Sequence, residues 1–450
     1  MLATTKDNKY KELENKPIKK LLLNYSLPAI IATIATSCYN IIDRIFIGQG
    51  VGALAISGLA ITFPIMNFTI AFGTLIGVGS SALVSIRMGE KKHKEATELL
   101  GTALILNLII GIIISIFALN FLDELLIWFG ATKNNICYAR DFMKIILSGN
   151  VITYLFFGLN NIMRASGYPI KAMISVLLTV CVNIILASTF IFQFNWGIKG
   201  AATATVISQS IGLIWIIVHF IQKNSYIHFQ KKCFKLKFNI IINIFSIGLA
   251  PFLLHSCISL VTIITNWQLN KYSGELAVGA FGIIHSIVSL AVMIILGLAQ
   301  GMQPIVGFNY GAKQINRVKK TLKQAIFIAT IIATICSIAT IIFPYFIARA
   351  FTTDHTLINI TINGLRLYTL FFSLSGFQII TSHFFQYIGK AKISIFLSLS
   401  RQVIFLIPLI IIMPLFLKLN GVWLAVSSAD LISSIITIIV LYKSYKKTIN

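Results

Sequence analysis

The sequence predicts an all-α membrane protein whose twelve transmembrane helices form two six-helix lobes related by a pseudo-two-fold axis along the membrane normal. Three observations predict it. Apolar residues make up 57% of the 450 and charged residues only 11%, against about 25% charged in a soluble domain. Most apolar runs are long enough, at 1.5 Å per residue, to cross a hydrocarbon core about 30 Å thick. The second half of the chain also repeats the first.

Twelve helices are read at 21–47, 54–85, 96–119, 137–162, 169–192, 198–222, 240–269, 276–308, 321–347, 360–385, 392–416 and 421–442. An even number places both termini on one side. That side holds roughly 27 of the 37 Lys and Arg, in clusters such as Lys91-Lys92-His93-Lys94, Lys231-Lys232 and Lys319-Lys320. Basic loops stay in the cytoplasm, so both termini are expected there, with the protein in a bacterial cytoplasmic membrane. The net charge of +24 therefore reads as membrane anchoring and not as nucleic-acid binding. Residues 1–20 are polar and Lys-rich with no cleavage-type end, so no removable signal is expected. The expected organisation is an N-terminal segment (1–20), an N-lobe (21–222), a cytoplasmic linker (223–238), a C-lobe (239–442) and a tail (443–450). Six cysteines are scattered without a C-x-x-C pair, which supports neither a disulfide framework nor a zinc site and leaves them as small core residues.

The duplication is legible in the residues. "GALAISGLAITFPI" from Gly52 matches "GELAVGAFGIIHSI" from Gly274, an offset of 222. At that offset Gly79 meets Gly301, Gly89 meets Gly311, Lys91 meets Lys313 and Gly167 meets Gly389. Pro28 falls on Pro251 with a shift of one. A six-helix unit keeps both lobes in the same membrane orientation and leaves a cavity between them, which is transporter architecture. The competing reading is a duplicated scaffold or receptor, which predicts no protein-mediated flux. No nucleotide loop, zincin motif or nucleophile elbow is present, so neither an ATP-driven pump nor an enzyme is expected, and no cofactor.

The polar residues within the spans locate candidate sites. Thr36, Asn40 and Asp43 share one face of the first helix with Thr33, and Tyr39 borders it. His255, Ser259, Thr262 and Asn266 repeat the stripe in the seventh helix, with Asn266 where the first lobe has Asp43. Interhelical hydrogen bonding, worth roughly 0.6 kcal/mol per bond, suffices for the hydroxyls. It does not suffice for an acid. A charged Asp costs about 2.5–3.5 kcal/mol near mid-helix, and protonating an ordinary Asp at neutral pH costs about 4 kcal/mol. Its two states therefore lie close in energy, and it can exchange a proton or hold Na⁺. The competing reading is an interfacial Asp paired with Arg44. Pro28 lies one helix segment before Asp43 and permits bending, as a hinge or as inherited packing. Asp141, beside Arg140 and Lys144, reads as a helix-end group. Asp430 either lines the C-lobe or pairs with Arg401 or Arg366. Gln300 and Gln303 either line the cavity or satisfy backbone freed by Pro304. His285 and His383 read as hydrogen-bonded interior histidines.

"YNIIDRIFIGQGVGALAISGLAITFPI", "GLAQGMQPIVGFNYGAK" and "SLSRQVIFLIPLI" resemble the multidrug and toxic compound extrusion (MATE) family, closest to its MepA-like bacterial branch. The resemblance covers nearly the whole chain. It implies two six-helix lobes, no ATP, and export of drug-like, often cationic, amphipathic compounds against H⁺ or Na⁺. It implies that Asp43 carries the coupling ion, with Asn183 and Thr205 as neutral partners. The family pattern puts an Asp four residues after Asn183, where this chain has Ala187. A single N-lobe acid favours H⁺ over Na⁺, and leaves Asp43 as the one candidate Na⁺ position. The substrate surface is expected to include Thr36, Tyr39, Asn40, Asn160, Asn266, Gln300 and Asp430. The expected partners are small organic substrates and the lipid bilayer, with the protein a monomer. The runner-up is a lipid-linked glycan flippase of related architecture, disfavoured by twelve spans and few central cations. A major facilitator carrier lacks its Asp-Arg loop pair in "RMGEKKHKE".

Overall fold

In lipid each backbone N–H and C=O must be paired within the protein, so long apolar runs become helices. The computed structural model describes residues 12–222, 225–234 and 236–448. Residues 1–11 of the expected N-terminal segment, part of the linker and residues 449–450 lie outside that description, as do the side chains of Lys231 and Lys232. The first lobe comprises α1 (Ile18–Gly50), α2 (Ala53–Gly89), α3 (His93–Asn120), α4 (Ile136–Ser148 and Asn150–Ala165), α5 (Pro169–Ser188, ending in a π turn) and α6 (Gly197–Ile221). The second comprises α7 (Phe238–Gly274), α8 (Leu276–Gly311), α9 (Ile315–Ile342), α10 (His355–Tyr368 and Phe372–Tyr387), α11 (391–417) and α12 (419–448).

Among the described residues, nine helices are long and apolar enough to span a membrane, and the bent pairs of α4 and α10 raise this to eleven. The segment Ala391–Ser444 counts once there, yet its backbone breaks at Lys418 (φ 50°), which divides it into α11 and α12. The expected spans 137–162 and 360–385 are thus each two helices, bent by 55° and 53°. Both bends fall at corresponding places, Gly149 and 369–371.

The repeat is written into the backbone as well as the side chains. Left-handed conformations pair across the halves: Gly52 with Gly274, Lys91 with Lys313, Gly167 with Gly389, and Asn195 with Lys418. These φ values are rare for residues with a Cβ, so Lys91 with Lys313, and Asn195 with Lys418, mark inherited turns.

The lobes meet along α1 and α2 on one side and α7 and α8 on the other. Their closest approaches lie in the halves of these helices near the terminal face, the side at which α1 begins and α12 ends. A Cβ on Gly89 would overlap Phe308 O, and one on Gly311 would overlap Ile86 O. The two contacts are related by the 222-residue offset. Gly79 meets Ile244 O and Gly248 meets Leu75 O in the same manner, while Gly301 and Gly297 press on Ser26 and Ile30 of α1. The aromatic trio Phe68, Phe72 and Phe252 packs further along the α2–α7 boundary.

Two residues sit on the axis itself. Gln303 Nε2 donates to Ser81 Oγ at 2.7 Å, and the two positions are equivalents under the repeat. Gln303 therefore serves neither the cavity nor the backbone near Pro304; it ties the lobes together. The cysteines are free thiols, but only Cys233 is buried, while Cys38, Cys137 and Cys181 are exposed. Small apolar groups need not enter a core when lipid bathes the outside.

Alanine at Gly89 or Gly311 is expected to lower the unfolding transition in detergent, at about 1–3 kcal/mol each. Gly282→Ala, where an added Cβ meets nothing within 4 Å, should leave it unchanged; thermal unfolding of the three variants checks this.

Candidate functional site

α1 brings its polar face to α5 and α6. Thr205 Oγ1 is the hub. It donates to Ala201 O at 3.1 Å, which uses its single proton. It therefore accepts from Asn183 Nδ2 at 3.2 Å and from the Tyr39 hydroxyl at 3.0 Å. The fold thus brings together Tyr39, Asn183 and Thr205, which come from three different helices. Thr36 bonds back to Ala32 O at 2.9 Å within its helix, and Asn40 is exposed.

Asp43 lies one turn beyond Tyr39 and is 8% exposed. Its Oδ1 is buried without a hydrogen-bond partner. Among the described residues it forms no ion pair, and Arg44 is exposed on a different face. Desolvating an unpaired carboxylate is costly, so this oxygen is a candidate to take a proton, a cation or a water. No group of three or more His, Cys, Asp or Glu suited to a metal exists among the described residues.

The C-lobe mirrors this arrangement in part. Asn266 holds the position equivalent to Asp43, and its Oδ1 is likewise buried without a partner. It lines a cavity of about 420 Å³ with Trp267, Asn270 and Val278 near the outer ends of α7 and α8. Both lobes thus offer an unsatisfied acceptor at matching depth, but only one of them can change charge.

The model of the family described as MatE matches the chain twice, over residues 28–189 and 251–412. The chain belongs to the MatE family. The two matches start and end one repeat apart, so each lobe is a MatE unit. The chain is 27% identical to the multidrug export protein MepA of Staphylococcus haemolyticus, over 97% of this chain and 96% of that one. It is similar to an outward-facing MATE family transporter of the MOP superfamily, with TM-score 0.92, 26% identity and coverage of 97% and 98%. It is also similar to the MATE multidrug transporter DinF-BH, with TM-score 0.89, 35% identity and 96% of each chain covered. The protein is a multi-pass membrane transporter.

Other predicted residues of this MatE protein are engaged elsewhere. Asn160 is saturated: it donates to Ala172 O at 2.9 Å and Ser175 Oγ at 2.8 Å and accepts from Arg164 at 3.1 Å. It joins α4 to α5. Gln300 of α8 accepts from Arg164 of α4 and so bridges the lobes. Asp430 is 1% exposed; its oxygens take Arg401 Nε and Ser375 Oγ, each at 2.6 Å. Of the alternatives open in the sequence, Asp430 takes the Arg401 pair, and Arg366 is exposed. Arg401 lies in the π segment Ser400–Leu406, whose extra residue aims it at α12 and α10. His383 Nδ1 lies 2.9 Å from Ile379 O, an interior hydrogen bond. Asp141 pairs with Lys199, and Arg140 with Asp123; adjacent residues on a helix point about 100° apart, so each finds its partner on a different side. Pro28 is buried within an unbroken α1.

Arg164 and Ser375, which hold Asn160, Gln300 and Asp430 away from the Tyr39–Thr205–Asn183 cluster, were not singled out by the sequence. Arg164 was legible as a cation at the end of a span. Ser375 carried no signal, because its partner is distant in sequence.

Asp430→Asn is expected to strand the Arg401 guanidinium and cost about 3–5 kcal/mol of stability. The double replacement Asp430→Leu/Arg401→Met should recover most of it, as measured by thermal unfolding.

Proposed function

We propose that this chain is a cation-coupled antiporter that exports amphipathic, drug-like and often cationic compounds by alternating access, with H⁺ rather than Na⁺ as the coupling ion. One observation carries the proposal: the buried Asp43 Oδ1 has no partner and lies one turn from a hydrogen-bonded Tyr39–Thr205–Asn183 cluster. The names of the relatives, multidrug export protein MepA and multidrug transporter DinF-BH, agree with drug export.

The chemistry follows from charge. Ionised Asp43 attracts a cationic drug, and low dielectric strengthens that attraction. Protonation removes it, so proton and drug compete for one carboxylate. A proton arriving from outside releases the drug there. The neutral acid then makes the return turn at lower desolvation cost and gives its proton to the cytoplasm. This is reciprocal linkage between two ligands of one protein. Na⁺ requires several oxygen donors, and at the position where a second acid is expected Ala187 is fully buried in an apolar cluster with Ile47 and Ile191. A proton needs one oxygen only.

Substrate is proposed to sit between the lobes against Thr36, Tyr39, Asn40 and Asn266. Pro28 is proposed as the point at which α1, unbroken in this state, bends to couple Asp43 to the seam. The basic side of the chain places the terminal face in the cytoplasm, in a bacterial cytoplasmic membrane. The seam is then shut on the inside, the outward-facing state. One chain supplies both lobes, so no second copy is needed for the pathway.

Asp43→Asn should reach the membrane in normal amounts yet lose active ethidium efflux. Wild-type efflux in that variant would end the proposal. In proteoliposomes, an imposed pH gradient alone should drive uptake of the dye, and an Na⁺ gradient alone should not.

A further inference from the structure

The terminal face carries two contacts that the seam does not explain. The chain enters α1 through a short helical segment, 12–15, which is laid against the other lobe. Arg317, at the start of α9, donates Nη2 to Leu13 O at 3.0 Å and to Lys16 O at 2.8 Å. Its Nε donates to Asn309 Oδ1 at 2.8 Å, and Asn309 Nδ2 also reaches Leu13 O at 3.4 Å. Leu13 is 1% exposed. The C-lobe thus grips the approach to the first helix of the N-lobe.

The reciprocal grip exists. Glu98, in the first turns of α3, accepts from Lys237 Nζ at 2.6 Å. Lys237 immediately precedes α7. The N-lobe thus grips the approach to the first helix of the C-lobe. The linker supports it: Cys233 O packs so closely on α3 that a Cβ on Gly101 would overlap it, and the Tyr226 hydroxyl lies 3.0 Å from His93 Nε2.

The repeat explains why the two grips differ in chemistry. Under the 222-residue offset Asn309 corresponds to Arg87 and Arg317 to Glu95. In the N-lobe that pair is an internal ion pair, Arg87 Nε to Glu95 at 3.0 Å. In the C-lobe the acid has become arginine and its partner a neutral amide. The guanidinium, with no carboxylate at its own turn, spends its remaining donors on carbonyls of the crossing segment. Guanidinium donors in fixed fork geometry suit paired carbonyls. An open crevice of about 520 Å³ between Glu14, Asn15, Lys313, Gln314 and Arg317 keeps this grip hydrated. Lys237 is also half-exposed. Glu98 is 7% exposed, so its carboxylate is released only as the parting lobes admit water to it.

We propose that Arg317 with the 13–16 carbonyls, and Glu98 with Lys237, form two reciprocal clasps that hold the terminal face shut and must both release before the lobes can part there. The inference rests on the alternating-access reading above and adds to it a latch distant from Asp43. Charge-assisted hydrogen bonds are worth more than neutral ones, so each clasp biases the equilibrium toward the closed seam while remaining breakable. The glycine contacts fix how closely the lobes fit; the clasps set how often they separate.

The test is a distance between the lobes. In a cysteine-free background, Ile170→Cys and Lys392→Cys place spin labels at equivalent, exposed positions of α5 and α11. Pulsed dipolar spectroscopy on the full chain in nanodiscs then reads how far the terminal face is open. Arg317→Gln, Lys237→Gln and Glu98→Gln are each expected to raise the ratio of long to short distances by roughly fivefold to tenfold. The charge swap E98K/K237E should return it toward the parent value. Lys237→Gln leaves the buried Glu98 carboxylate without its cation, so thermal unfolding of each variant separates lost folding from an opened seam. Unchanged distances in Arg317→Gln and Lys237→Gln would overturn the proposal. So would a long-distance population that persists in the charge swap, since that outcome assigns the effect to packing. The measurement needs neither drug nor ion gradient, so a failure of coupling at Asp43 does not touch its result.

Discussion

A carboxylate oxygen without a partner in an apolar helix bundle is the constraint on which the rest depends. Desolvation makes the charged state expensive, and the ordinary acidity of Asp makes the neutral state nearly as expensive at neutral pH. Asp43 is held between these costs by position alone. The Tyr39, Thr205 and Asn183 groups beside it satisfy one another and offer it no bond that would settle its charge. In the proposed mechanism the surroundings supply the missing partner, and what they supply depends on which face is open.

The seam turns that local choice into a molecular one. Backbone meets backbone at Gly89 and Gly311, and again at Gly79 and Gly248. Contacts this close have one good arrangement, so the lobes either fit or part, which makes the interface bistable. Ser81 and Gln303 mark the two-fold axis that relates them. The inter-lobe side-chain bonds include Ser81 with Gln303, Arg164 with Gln300 and Lys237 with Glu98, and parting the lobes must bring water to the buried Arg164 and Glu98. Buried Asp430 and Arg401 belong to a different class of contact. They bind α10, α11 and α12 within one lobe, and so they make the lobe rigid without opposing its movement.

Much of this was legible in the residues. The duplication, the spans and the paired glycines follow from pattern, and the structure gives the glycines their reason in the backbone contacts of the seam. Asp43 stood out because it is an acid in an apolar run. The bends in α4 and α10 were not legible, since Gly149 and Thr369 sit in sequences that read as continuous helix. Neither reading open for Gln303, cavity or backbone, included the seam, because its partner Ser81 lies 222 residues away. For Asp430, several arginines were available, and only the π segment that turns Arg401 inward selects one. Cysteines were misplaced by an intuition from soluble cores.

The most direct measurement is proton release on drug binding. Purified protein in weakly buffered detergent solution, mixed with a lipophilic cation such as tetraphenylphosphonium, should release protons to a pH dye. Asp43→Asn should release none at the same occupancy. Equal release from the variant would contradict the claim that drug and proton compete for this carboxylate.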